Sequence, residues 1–168
     1  MKHNEKTHPY FPTGTRFGIL RPRQSLSIGL AERRAIKEYQ EKTFPGLQAQ
    51  ITQAAGFEVP IEVQWDAIAQ PGDAAKYASD DYFTNIYFTP LVDALKKVTA
   101  DDMGKQALKS NLKKVVVTYS KDTAPASNYA TGLNFESGTL TINFQPYSNV
   151  SDITPRADAI QKLLESKL

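Results

Sequence analysis

Residues 133–142 read Leu-Asn-Phe-Glu-Ser-Gly-Thr-Leu-Thr-Ile, and this stretch contains the strongest structural signal in the chain. Apolar and polar side chains alternate on both sides of Ser137-Gly138, a pair that suits a two-residue hairpin turn. With the turn at that position, apolar side chains face apolar ones and polar side chains face polar ones across the two strands. The pairs are Glu136 with Thr139, Phe135 with Leu140, Asn134 with Thr141 and Leu133 with Ile142. The stretch therefore predicts a β-hairpin with one apolar face.

Two further stretches have the composition of β-strands. Apolar residues at positions 59, 61, 63 and 65 alternate with polar ones, and Pro60 restricts this strand to a sheet edge or to its own early positions. Three successive valines at 115–117 predict a buried strand, because β-branched side chains fit a pleated surface. With the two arms of the hairpin, the predicted strands cover about residues 57–65, 114–120, 129–136 and 139–145.

Helical periodicity accounts for most of the remaining chain. The predicted helices cover about 27–43 with Ser27 as N-cap, Pro45 to a left-handed Gly56, and the stretches that follow 79–81, 99–102 and Thr154. Pro90 lies inside the third helix, and because proline lacks a backbone N–H, it predicts a kink or two helical pieces there. The polar stretches 70–78 and 120–128 are predicted loops.

These elements predict an α+β fold. We expect a four-stranded, mostly antiparallel sheet with helices packed on one face, in a two-layer arrangement, because each alternating strand offers one apolar face. The second, third and fourth strands are expected to form an antiparallel meander. The long helical connection between the first two strands permits parallel pairing between them. Residues 1–25 are expected to form a basic arm containing Pro and Gly that is partly packed, and residues 26–168 a single domain.

The composition excludes several classes of chemistry. The 168 residues contain no Cys and only two His, His3 and His8, both in the predicted arm. A thiolate nucleophile and a Cys-ligated metal are therefore excluded, and no metal site or cofactor is expected. The glycine-rich motifs that bind nucleotide phosphates and dinucleotides are also absent from the sequence. No apolar stretch predicts a membrane span. Without a signal peptide at the start, the default expectation is a soluble, cytoplasmic protein, and a processed or trimmed secreted form is the alternative.

Charge is unevenly distributed along the chain. Residues 1–43 contain nine basic and four acidic side chains, about +5 by subtraction, whereas the remainder has 11 basic and 14 acidic side chains, about −3. A basic arm can bind an anionic polymer. No aromatic interleaving or RNA-binding motif accompanies it, which argues against nucleic acid as the partner. The simpler interpretation is that the arm neutralises or packs against the acidic remainder of the chain.

Candidate functional residues lie at the ends of the predicted strands. Trp65 and Asp66 end the first strand, Lys121 and Asp122 follow the second, and two tyrosines flank the hairpin, Tyr129 and Tyr147. Depending on strand direction, some of these residues would meet at one end of the sheet, where loops often carry function. The acidic pairs 80–81 and 101–102 are expected to cap helices, since acids are favoured at helix N-termini.

The leading hypothesis is a non-catalytic domain that binds a protein partner or a ligand, such as a small accessory or inhibitor protein. Its expected binding residues are Trp65, Tyr129, Tyr147 and Lys121. The alternative is a carboxylate-dependent hydrolase in which Asp66 acts with Glu62 or with Asp122, which requires both carboxyl groups in one concave pocket. A second alternative is binding of an anionic polymer through the basic arm.

Overall fold

The computed structural model describes residues 28–79 and 81–168, and those residues form seven α-helices and four β-strands. The predicted arm and the predicted cap Ser27 lie outside the described residues. The helices are α1 (Leu30–Lys42), α2 (Phe44–Ala55), α3 (Trp65–Ile68), α4 (Ala74–Ser79), α5 (Thr89–Val98), α6 (Asp102–Asn111) and α7 (Ile153–Lys167). The strands are β1 (Ile61–Val63), β2 (Lys114–Thr118), β3 (Leu133–Glu136) and β4 (Thr139–Asn143).

The four strands form one mixed sheet in the order β1-β2-β4-β3. β1 and β4 each pair parallel with β2, and only β3 and β4 pair antiparallel. The α+β class is confirmed, but the mostly antiparallel sheet and the meander of β2, β3 and β4 are wrong. The second hairpin strand lies beside β2 because its inward side chains, Leu140 and Ile142, are fully buried. The first hairpin strand is half exposed and occupies the sheet edge.

The hairpin itself has the predicted register. Leu133, Asn134, Phe135 and Glu136 face Ile142, Thr141, Leu140 and Thr139, respectively. Ser137 and Gly138 both have positive φ, 52° and 81°, as a primed hairpin turn requires. The Gly138 carbonyl accepts the amides of Lys113 and Lys114, so the turn is attached to the beginning of β2.

The first predicted strand is shorter than expected. Only Ile61–Val63 is extended, at the sheet edge directly after Pro60, as the proline predicted. The predicted strand residue Trp65 instead begins α3, because the Gln64 carbonyl accepts the amides of Ala67 and Ile68 in a helical turn. The predicted loop 70–78 likewise contains most of α4, whose buried Tyr77 donates its hydroxyl to the Gln70 carbonyl.

The helical predictions agree with the structure more closely. α2 has Pro45 in its first turn and ends at Gly56 with φ of 81°. A π-helical segment, Thr84–Phe88, directly precedes α5, so the long helix near Pro90 is divided as expected. Because Pro90 has no backbone N–H to donate to the preceding turn, the helical hydrogen bonds there take the wider spacing of a π-helix. α6 begins after Asp101, whose carboxylate accepts the Gly104 amide at 2.7 Å.

The core lies against one face of the sheet. Val115, Val117, Leu140 and Ile142 are fully buried on that face, whereas the alternate residues of β2 and β4 are half exposed. α7 contacts β3 and packs along α5, which in turn packs against α2. This arrangement leaves the two ends of the sheet for loops, and one of those ends contains the candidate site.

Candidate functional site

Three strands end at the same edge of the sheet. β1, β2 and β4 run parallel, so their carboxyl ends lie side by side, and the beginning of the antiparallel β3 joins them. In open sheets with parallel strands, ligands commonly bind outside these carboxyl ends. We call this region the carboxyl edge, and it consists of residues 64–67, a first loop (119–132) and a second loop (144–152). It contains all of the predicted site residues except Glu62.

Side-chain hydrogen bonds connect the two loops. Asn143, the last residue of β4, accepts the Ser120 amide at 2.9 Å and donates to the Thr123 hydroxyl at 3.0 Å. Two amides of the second loop donate to carbonyls of the first, Gln145 to Ala124 at 3.3 Å and Asn149 to Ala126 at 2.9 Å. The loops are therefore held in one arrangement by bonds between them, and their exposed side chains have a defined spacing.

A buried arginine supports the second loop from below. Arg156 of α7 is 1 % exposed and donates to the carbonyls of Ser148 and Asn149, both at 2.7 Å. Its guanidinium carbon lies 4.6 Å from the ring centroid of Tyr129, in cation–π geometry. Burial lowers the pKa of Arg156 from its usual value, and no carboxylate among the described residues is within ion-pair distance. The carbonyls of the loop are the groups that solvate this charge.

The two tyrosines of the predicted site have different roles. Tyr129 is buried, and its hydroxyl donates to the Asp152 carboxylate at 2.7 Å, so this residue holds the second loop in place. Tyr147 is 44 % exposed at the surface of that loop. Its hydroxyl lies 3.4 Å from that of Tyr119, and the two rings meet edge to face. Burial and this neighbour raise the pKa of Tyr119 to about 12, so Tyr119 stays a neutral hydrogen-bonding group.

An open groove of about 830 Å³ lies at the β1 side of the carboxyl edge. Its walls are α1, the end of β1 and α3, with the lining residues Arg33, Ile36, Lys37, Gln40, Glu41, Val63, Gln64, Trp65, Asp66 and Ala67. Trp65 packs its ring edge-on against Phe44 and Tyr39. The indole nitrogen is not buried and has no acceptor among the described residues. Among the described residues, the groove therefore has an unpaired N–H donor beside an aromatic wall.

The three candidate carboxylates occupy different positions. Asp66 lines the groove. Glu62 lies on the other face of the sheet from the core, where it pairs with Lys114 at 3.0 Å, and it does not line the groove. Asp122 is exposed on the first loop beside the exposed Lys121 and does not line the groove either. The acid pairs that the hydrolase hypothesis requires are thus not brought together in this groove.

The described part of the chain offers no evident metal centre. No group of three or more Asp and Glu side chains in residues 28–79 and 81–168 is arranged to hold a metal ion, and His3 and His8 lie outside that part. In the same residues no helix is long and apolar enough to cross a bilayer.

Arg156 is a residue of the candidate site that was not predicted from the sequence. It lies four residues before the buried Ile160 and next to Ala157, so helical spacing places it on the apolar face of α7. A charged residue in that position is a detectable signal of a buried polar contact. Arg33 and Lys37 of the groove carried no such signal, because exposed cations on a helix are common.

Comparison of the chain with protein-family models, curated proteins and solved structures gives no match.

Proposed function

We propose that this protein is an interaction domain that binds a protein partner at the carboxyl edge of its sheet. The observation that carries the proposal is that hydrogen bonds connect the two loops, which present the exposed Tyr147 beside Tyr119. Rigid aromatic side chains with polar ends supply contact area at low entropic cost, and Tyr, Ser and Asn are the residues that binding loops favour. Residues 119–132 and 144–152 are rich in these three types.

The finer architecture supports the same proposal. We infer a two-layer arrangement in which the helices cover the apolar face of the sheet. Glu62, Asn134 and Glu136 on the opposite face are exposed, and the face is polar. A polar face without aromatic side chains is a weaker binding candidate than the carboxyl edge, since interface centres are enriched in Tyr, Trp and Arg.

Capture of partners from a lysate of the source cells tests the proposal. We expect Tyr147→Ala to weaken capture about 30-fold, which corresponds to the ~2 kcal/mol of an interface hot spot. Met103→Ala is the matched control, because Met103 is 81 % exposed on α6 and does not belong to the carboxyl edge. Equal capture by the wild type and both variants would rule out the carboxyl edge as the binding surface.

The two alternative functions stay predictions. A hydrolase would have to use Asp66, and the other carboxylate that lines the groove is Glu41 rather than Glu62 or Asp122. Binding of an anionic polymer depends on the predicted basic arm, which lies outside the described residues. Its expected signature is an affinity that falls steeply with salt concentration.

A further inference from the structure

The outer edge of β1 has backbone groups that no described residue pairs with. β1 is an edge strand, and its ladder with β2 uses the Pro60 carbonyl, which accepts the Val115 amide, and the Gln64 amide, which donates to Val117. Alternate residues of a strand point their backbone groups to opposite sides, so Ile61 and Val63 point theirs away from β2. Within the described part of the chain, no backbone group pairs with them on that side. As far as residues 28–79 and 81–168 show, this edge can accept one more strand.

The groove described above begins at this edge. Val63 lines it on one side, and α1 lines it on the other. Of its charged residues, Lys37 pairs with Glu41 at 3.8 Å. Arg33 and Asp66 have no ion pair among the described residues, so one positive and one negative charge remain available in the groove.

We propose that the groove binds an extended peptide segment of the partner protein, which adds to β1 as a strand. This inference rests on the proposed function and names the chemistry of the partner. The segment would hydrogen-bond to the outward groups of Ile61 and Val63, place an acidic side chain against Arg33 and a basic one against Asp66, and offer an acceptor to the indole N–H of Trp65.

The backbone groups beside the groove suit an extended peptide better than a small molecule. Unpaired strand groups are satisfied by another strand, and that mode of binding obtains affinity from the backbone and specificity from side-chain pockets. Because β1 has only three residues, it pairs poorly with arbitrary chains. Arg33, Asp66 and Trp65 must therefore supply the selection between partner sequences.

Trp65 is the single tryptophan of the chain, so its fluorescence reports directly on the groove. The probe is a capped peptide of alternating Val and Thr with a Glu near one end and a Lys near the other, prepared in both orders. We expect a saturable change in Trp65 emission with one order. The same peptide with N-methyl groups on alternate amides, which removes the donors of one strand edge, should bind at least tenfold more weakly.

Charge reversal provides the matched protein variants. Arg33→Glu should weaken binding of the peptide at least tenfold. This variant should bind a second peptide, in which Lys replaces the Glu, more tightly than the wild-type protein does. Arg34→Glu is the control, because Arg34 is the exposed neighbour that does not line the groove. Equal effects of the two variants, no response to any peptide, or undiminished binding of the N-methylated peptide would overturn the proposal.

The proposal would also be overturned if the groove held the N-terminal segment of this chain or a second copy of it. Trp65 emission detects both cases. Phe17 is an apolar residue of the predicted arm. If Phe17→Asp in the full chain shifts Trp65 emission without peptide, the groove is occupied by the N-terminal segment of this chain. If the emission depends on protein concentration, the occupant is a second copy. If capture of a partner requires Tyr147 but no peptide binds, the proposed function stands and only the proposal for the groove is rejected.

Discussion

At the residue scale, Arg156 contacts the second loop from the interior of the molecule. Its guanidinium donates to two carbonyls of the second loop while being nearly inaccessible to solvent. A buried guanidinium without a carboxylate partner is costly, and its hydrogen bonds to the two loop carbonyls offset part of that cost.

Replacing this residue should therefore destabilise the protein. We expect Arg156→Leu to lower the free energy of unfolding by ~2–4 kcal/mol, because it leaves two loop carbonyls without donors. Urea titration measures this effect. Lys162→Leu, an exposed position on the same helix, should change stability by less than ~0.5 kcal/mol. Equal stability of the two variants would contradict the role of Arg156.

Glu32 makes a second contact at the residue scale, between α1 and the segment before α4. It is buried and accepts the Gly72 amide at 2.8 Å. Its own backbone amide and that of Gly72 lower the pKa of its carboxyl group below the ordinary value of 4.5. The carboxylate form is therefore the one that the folded state prefers.

The sign of the pH dependence follows from that shift. A carboxyl group whose pKa is lowered in the folded state stabilises the protein at pH values above its pKa in the unfolded state. That contribution is lost as the pH falls through its pKa in the folded state. Glu32→Gln should lower the melting temperature at pH 7, and the difference from the wild type should shrink below pH 4.5. A difference that stays constant from pH 7 to pH 3 would show that the contact does not depend on ionisation.

At the scale of elements, the hairpin turn depends on glycine. Gly138 has φ of +81°, and a Cβ there would lie 2.5 Å from Cγ of Lys113 and 2.9 Å from the Asn111 carbonyl oxygen. We expect Gly138→Ala to destabilise the protein by at least ~1 kcal/mol. Gly46→Ala is the control, since a Cβ in the first turn of α2 meets nothing within 4 Å. It should be neutral or stabilise by up to ~1 kcal/mol in thermal unfolding.

At the scale of the whole molecule, the groove and the core share side chains. Trp65 lines the groove and also contacts Tyr39 and Phe44, which belong to the buried cluster that continues to the sheet. We therefore expect urea unfolding followed by Trp65 fluorescence to coincide with unfolding followed by far-UV circular dichroism. Separate midpoints would show that the helices around Trp65 unfold independently of the sheet.

Local chemistry was sufficient for much of this fold. The alternation around Ser137-Gly138 determined the hairpin and its register, and proline and glycine positions determined the boundaries of α2 and the break before α5. These features depend on residues near one another in the chain, whose allowed φ and hydrogen bonds are properties of the residues themselves.

The order and direction of the strands were decided only in the tertiary structure. Either arm of the hairpin has an apolar face, so alternation alone does not determine which arm lies beside β2, and burial of Leu140 and Ile142 selects β4. That choice makes three strands parallel and brings Trp65, Tyr119 and Tyr147 to one edge. The contacts that join them span tens of residues, and because such contacts form only when distant segments share a core, no local pattern encodes them.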